Sequence, residues 1–320
     1  MMARCPLKLY RGLSSLLLAF GCLVLQGCQS MPSPVAEAPT QVDPTLPVIS
    51  WANGELRDGE VARADLRLPR DLVESSKSLV VEGRLLGRKF VFYPAGEDKN
   101  FYFYSAIVGV NFGTPPGEKP VSITIKRGMP KSELNLPSKL IVIRGQYPEE
   151  TIGVQPKHVQ PSGKEIRRLK KEGSELGRIY RGSSPKRLWD GAFQMPMSSA
   201  LTSPFGTKRV YNGQMQSFHQ GVDFKAAEGT PVFSAAAGKV VLAKDLFLTG
   251  NTVIIDHGFE VFTIYAHLSR LQVEPGSMVP KGQLLGLSGM TGRASGPHLH
   301  FGARVLGSKV NPLSLIQAIQ

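Results

Sequence analysis

The chain has 320 residues, 38 basic against 25 acidic side chains, and a formal net charge of +13. That length suits about two domains, and 42% hydrophobic with 20% charged residues excludes a wholly disordered chain. Gly and Pro contribute 34 and 24 residues, well above their usual share, which favours short strands joined by turns over long helices.

Residues 1–27 read as an export signal. Arg4, Lys8 and Arg11 precede an apolar run from Leu13 to Leu25, the charged and apolar regions of a signal peptide. The run is too short and too interrupted by Gly and Ser to be a good bilayer span. It ends in Leu25-Gln26-Gly27-Cys28, which resembles a bacterial lipobox. That resemblance implies cleavage before Cys28, lipid attachment to its N-terminus, and anchoring in the cell envelope, on the periplasmic side of a Gram-negative membrane. An ordinary secretory signal with an incidental Cys is the alternative. The other two cysteines, Cys5 and Cys22, leave with the signal, so the mature chain holds no disulfide and no Cys-based zinc site. Residues 28–47, rich in Pro and Ser, read as a tether.

Residues 48–150 carry short strand patterns. Val121-Ser-Ile-Thr-Ile-Lys126 alternates apolar and polar side chains, the period of a half-buried strand. Leu79–Leu86, Lys89–Tyr93, Asn100–Val110 and Lys139–Gly145 are similar, with Pro94–Gly96, Gly113–Gly117 and Gly128–Pro130 as separators. The pattern predicts a β-sandwich of immunoglobulin type, a binding or spacer module without a catalytic cluster. Residues 151–191 form a connector. Ser162-Gly-Lys-Glu165 is a capping box that opens a helix, Ile166, Leu169, Leu176 and Ile179 share one face, and Gly173 weakens its middle. Residues 164–187 carry nine basic and three acidic groups, read as a solvated helix face in preference to an anion-binding surface. From 192 to 320 short strands return, at Val240–Ala243, Thr252–Asp256, Phe262–His267 and His298–Arg304.

The chemistry concentrates in that last stretch. His219-Gln-Gly-Val-Asp223 sets an imidazole and a carboxylate four residues apart, an even offset that puts both on one face of an extended segment. His298-Leu299-His300 has offset two, so both imidazoles share a face while Leu299 points the other way. His267 ends an apolar stretch. Two imidazoles and one carboxylate are a minimal protein set for a catalytic zinc with an open position, and the remaining imidazoles supply a proton acceptor and a group for developing negative charge. His257 reads as a hydrogen-bonded turn residue after a strand, and His158 gets no role. The helical His-Glu-X-X-His motif is absent.

His219-X-Gly-Val-Asp223, Tyr265-Ala-His267-Leu268 and Gly296-Pro-His298-Leu-His300-Phe301 occur in this order and resemble the three motifs of the lysostaphin/LytM-type zinc metalloendopeptidases. Ser203-Pro-Phe205-Gly206 and the stretch Gly276–Gly292 are similar to that family too. The resemblance covers about residues 192–315. It implies a small antiparallel β-fold with a groove, acting on peptide cross-links of peptidoglycan, of which the D-alanyl–diaminopimelate bond suits a Gram-negative envelope. By motif, His219, Asp223 and His300 would bind one Zn2+, His298 would be the general base, and His267 would orient water or stabilise the oxyanion. The N-terminal β-region with a helical connector is similar to secreted members of the family that carry an immunoglobulin-like module.

Three other readings compete. A non-catalytic relative would bind peptidoglycan and activate a cell-wall amidase, but such relatives lack zinc ligands. A biotin-carrier-like domain is resembled by Val273–Gly276 and Gly238–Val240, but no Lys is flanked by Met on both sides. Nucleic-acid binding lacks an aromatic–basic motif, P-loop or zinc finger, and the charge argues against it: +3 lies in the signal, +6 in residues 164–187 and +4 in residues 192–320.

Overall fold

The computed structural model describes residue 43, residues 45–129 and residues 131–320. The export signal and Cys28 lie outside the described residues, as does the tether up to residue 42. The chain is mostly β, as its turn-rich composition predicts.

The first half is built from ten strands and one short helix: β1 (Val48–Trp51), β2 (Glu55–Arg57), β3 (Val61–Pro69), α1 (Arg70–Glu74), β4 (Leu79–Leu85), β5 (Arg88–Val91), β6 (Tyr93–Glu97), β7 (Phe101–Gly109), β8 (Gly117–Arg127), β9 (Ser132–Ile143) and β10 (Glu149–Ile152). Two sheets form, in the orders β1-β3-β7-β6 and β2-β9-β8-β4-β5. Alternation decides what they bury: Ala62, Ala64, Leu66 and Leu68 of β3 enter the same core as Val121, Ile123 and Ile125 of β8. Pro94–Gly96, expected as a separator, lies inside β6. The reason is local: β6 is an edge strand, where Pro loses no ladder bond, and its pairing with β7 skips a residue between Pro94 and Gly96.

The connector contains α2 (Gly163–Arg181), opened by the capping box in which the Ser162 hydroxyl accepts from the Glu165 amide and the Glu165 carboxylate accepts from the Ser162 amide. Leu176, Ile179 and Tyr180 pack on Leu242, Leu246, Ile254 and Phe262. Ile166, predicted on the same face, is 42% exposed; the apolar contacts of α2 with the strands come from its second half. The Glu172 carboxylate accepts from the Phe247 amide and pairs with Arg168, fixing the helix against the strands below.

The second half comprises β11 (Leu201–Ser203), β12 (Lys208–Tyr211), β13 (Met215–Phe218), β14 (Gly221–Lys225), β15 (Pro231–Phe233), β16 (Gly238–Leu246), β17 (Gly250–Asp256), β18 (Val261–Leu268), β19 (Arg270–Leu271), β20 (Met278–Val279), β21 (Leu284–Leu287), β22 (His298–Val305), β23 (Ser308–Val310) and α3 (Pro312–Ala318). Its main sheet runs β11-β14-β22-β18-β17-β16-β20, with β23 on β22. Tyr265, Leu299 and Phe301 fill its inner side with no exposure. Both halves share one apolar core: the Val61 amide donates to Ser314 Oγ at 2.8 Å, Asn311 N to Gly59 O at 2.7 Å, and Tyr93 meets Trp189 edge-on. Strand β10 pairs in parallel with β12, so the segment leaving the first half becomes part of the second.

Candidate metal centre

Strand register brings the histidines and the aspartate together. β14 and β22 are antiparallel, with Asp223 directly opposite His300 and Lys225 opposite His298. The offset of two on β22 then turns His298 and His300 to one face, as predicted from sequence. His219 precedes β14, so the even-offset argument does not place it. It is placed by the loop before it: Gly206 N donates to His219 O and His219 N to Thr207 O, both at 2.8 Å. Gly221 allows the closeness, since a Cβ there would stand 2.4 Å from Phe301 O and 2.7 Å from His300 Nε2.

Three donor atoms converge. His219 Nε2 lies 3.0 Å from Asp223 Oδ1 and 2.9 Å from His300 Nδ1, and His300 Nδ1 lies 2.9 Å from Asp223 Oδ1. His219 Nδ1 is 2.9 Å from the Pro204 carbonyl; a carbonyl only accepts, so Nδ1 carries the hydrogen and Nε2 points a bare lone pair at the carboxylate. Facing lone pairs at 3.0 Å repel unless a cation lies between them. A tetrahedral Zn2+ with bonds of about 2.0–2.1 Å separates its ligand atoms by about 3.3 Å, within a few tenths of this triangle. The residues therefore fit a metal ion with a nitrogen, nitrogen and oxygen donor set.

The surrounding groups tune this centre. Burial alone would raise the Asp223 pKa, but the adjoining His219 and His300 imidazoles outweigh it and hold the carboxyl far below the usual range. Its second oxygen accepts from Arg209 Nη2 at 2.5 Å. Arg209 also donates to Ser203 Oγ at 2.9 Å and to Glu150 of β10 at 2.5 Å. Burial pushes His300 down to about 4, against the pull of Asp223. Arg209 and Glu150 carry no motif offset and were not singled out from sequence; the only hint was the basic pair Lys208-Arg209 beside Ser203-Pro-Phe205-Gly206.

His298 and His267 flank the triangle, their rings 4.8 Å apart, and His298 Nε2 is 3.7 Å from Asp223 Oδ1. Each donates Nδ1–H to a carbonyl, Gly296 at 2.8 Å and Thr291 at 2.7 Å, leaving both Nε2 atoms as acceptors. Strict alternation after the inward Tyr265 would bury His267 in the core. Instead the β17–β18 register shifts between Asn251 and Val253, and His267 takes φ 62°, a bulge that swings it to the metal face. Burial pushes His267 down to about 3, helped by the His298 and His300 rings. His257 stays apart: fully buried, it donates Nδ1–H to Ala237 O and accepts from Thr263 Oγ1, both at 2.8 Å. His158 is buried edge-on against Phe247.

Residues 217–312 match the family model described as Peptidase family M23. Over 95 residues the chain is 45% identical to the peptidoglycan DD-endopeptidase ShyA of Vibrio cholerae, covering 30% of this chain and 22% of that protein. It is 40% identical over 115 residues to the DD-carboxypeptidase/endopeptidase Mpg of Neisseria meningitidis, covering 36% of this chain and 26% of that protein. The chain thus spans about a quarter of the length of these curated relatives. A crystal structure of a Pseudomonas aeruginosa protein assigned to peptidase M23 matches with TM-score 0.60 and 28% identity, over 82% of this chain and 95% of that one. The region that holds the His219–Asp223–His300 centre is thus the part of the chain that is similar to peptidase family M23.

Proposed function

We propose that the chain is a zinc-dependent endopeptidase that hydrolyses peptide cross-links of peptidoglycan, cutting the D-alanyl–diaminopimelate bond. The convergence of His219, Asp223 and His300 donor atoms at 2.9–3.0 Å, with two acceptor imidazoles beside them, carries this reading. The name of the ShyA relative supports the substrate class, and that of Mpg the endopeptidase activity. When bound, zinc polarises a substrate carbonyl and makes water easier to deprotonate. His298, with Nδ1 tied to Gly296 and Nε2 free, takes the proton of the attacking water as general base and returns it to the leaving amine. His267 is neutral at physiological pH and its free Nε2 is an acceptor, so it orients that water through one of its hydrogens. Donation by His267 to an oxyanion requires first a proton on Nε2, and the water-orienting role fits the arrangement better. Arg209 and Glu150 hold the Asp223 carboxylate in place.

Digestion of defined cross-linked muropeptides, with products identified by mass spectrometry, tests the reading. Zinc-loaded protein should cut and chelated protein should not. Full metal occupancy with no cleavage of any sacculus, together with stimulation of an amidase, would replace it with the activator reading, which the complete ligand set does not favour. We further propose export and lipid anchoring at Cys28 in the periplasm. Labelled fatty acid should be incorporated into the wild type and not into Cys28→Ala.

A further inference from the structure

A cavity of about 440 Å³ lies between helix α2 and the face of the sheet that bears the metal centre, with His300 in its wall. Two residues of its helical wall, Gly173 and Gly177, are one turn apart. Each costs a helix about 1 kcal/mol relative to Ala. Neither adopts a positive φ, and packing does not demand glycine either. A Cβ at Gly173 would meet nothing within 4 Å, and one at Gly177 would reach only Arg181 Nη1 at 3.4 Å. What the pair contributes is empty space above the sheet. Opposite them the wall is aliphatic, with Leu246, Ile254 and Ile264.

The charged part of the lining is cationic. Arg304 and Lys309 contribute to it and no carboxylate does. Arg304 lies over the Tyr180 ring at 4.2 Å and donates Nη2 to Gly307 O at 2.9 Å, but its Nε is buried without a hydrogen-bond partner among the described residues. A buried guanidinium nitrogen left unpaired is costly. Lys309 donates to the neutral amide of Gln220, so no acid neutralises it there.

We propose that this cavity is a substrate subsite for an aliphatic side chain ending in a carboxylate, kept open by the absence of side chains at Gly173 and Gly177. The proposal rests on the peptidase reading and adds a specificity element to it: a wall supplied by the connector helix, outside the segment matched by the family model. The methylene stem would lie between Ile254, Ile264 and α2, and the carboxylate would meet Arg304 and Lys309.

The test uses full-length zinc-loaded protein and two arms. In the first, Gly177→Leu fills the cavity. It should keep one zinc and an unchanged or higher Tm, yet raise KM for a cross-linked muropeptide at least tenfold. Lys309→Met, at an exposed position, should lose a similar factor even if Gly177→Leu fails to fold. In the second arm, calorimetry compares a peptide carrying one α-aminopimelate side chain with the same peptide amidated at that side chain. The free carboxylate should bind wild type at least tenfold more tightly, and Lys309→Met should remove the preference. Unchanged kcat/KM in folded Gly177→Leu, or equal binding of the two peptides by wild type, overturns the proposal. If wild type cuts no muropeptide, the peptidase reading fails, while the calorimetric arm still decides whether the cavity takes this chemistry.

Discussion

Gly221→Ala isolates the geometry on which the metal centre depends. The new Cβ would lie 2.4 Å from the Phe301 carbonyl oxygen and 2.7 Å from His300 Nε2 and Cε1, where ordinary contact begins at 3.4 Å. Relief requires β14 to retreat from β22 by about 1 Å and the His300 ring to stand off by about 0.7 Å. The first motion breaks the register that sets Asp223 opposite His300; the second displaces a ligand directly. Metal coordination tolerates about 0.2 Å, so either shift removes a proper ligand. The expected result is a loss of zinc affinity of at least tenfold and of activity of about a hundredfold, with about 1–3 kcal/mol of destabilisation from overpacking. Zinc affinity is read by competition with a chromogenic chelator, and stability by urea unfolding of the metal-free protein. Gly153→Ala, where a Cβ meets nothing within 4 Å, serves as the control. Zinc affinity in Gly221→Ala equal to that of Gly153→Ala would refute the assignment of His300 and Asp223 as partners in one site.

Arg209→Met removes the hydrogen bonds to Asp223 Oδ2 and Glu150; chelator competition should report a 10–100-fold weaker zinc site, and wild-type affinity would mean that Arg209 only packs. His298→Ala should retain zinc, because its Nε2 is 3.7 Å from Asp223 and outside the donor triangle, while muropeptide cleavage falls by about 10²–10⁴-fold; loss of metal instead would make His298 a ligand. His257, away from the metal, tests stability against pH. Its folded pKa is pushed down to about 4, chiefly by burial, while the unfolded value is about 6.5. Below about pH 6.5 the unfolded chain therefore binds a proton that the folded chain refuses. The contribution is complete above that pH and lost as pH falls toward 4, by roughly 2 kcal/mol at pH 5. Urea unfolding at two pH values should show this increment in wild type and lose it in His257→Gln.

What could be read from sequence is what depends on local period. Offset two on one strand is enough to align His298 with His300, and Ser162 with Glu165 three residues on is enough to open α2. Register between strands is a different kind of information. Asp223 faces His300 across 77 positions because β14 and β22 pair as they do, and neither strand announces its partner. His267 departs further: its strand predicts an inward side chain, and a bulge with a left-handed residue reverses that. A non-glycine residue held at φ 62° costs free energy that the surrounding pairing must supply, so the His267 imidazole is held by long-range contacts. The carboxylate is supported in the same way. Glu150 reaches Arg209 because β10 runs parallel to β12, and Arg209 in turn reaches Asp223. The chain before residue 192 is thus structurally part of the centre twice over, through Glu150 behind the carboxylate and through the α2 wall in front of His300. A cut placed after residue 191, where composition suggests a boundary, would remove both supports while leaving every motif residue in place. The motifs therefore define the donor set, and the chain before them fixes its geometry.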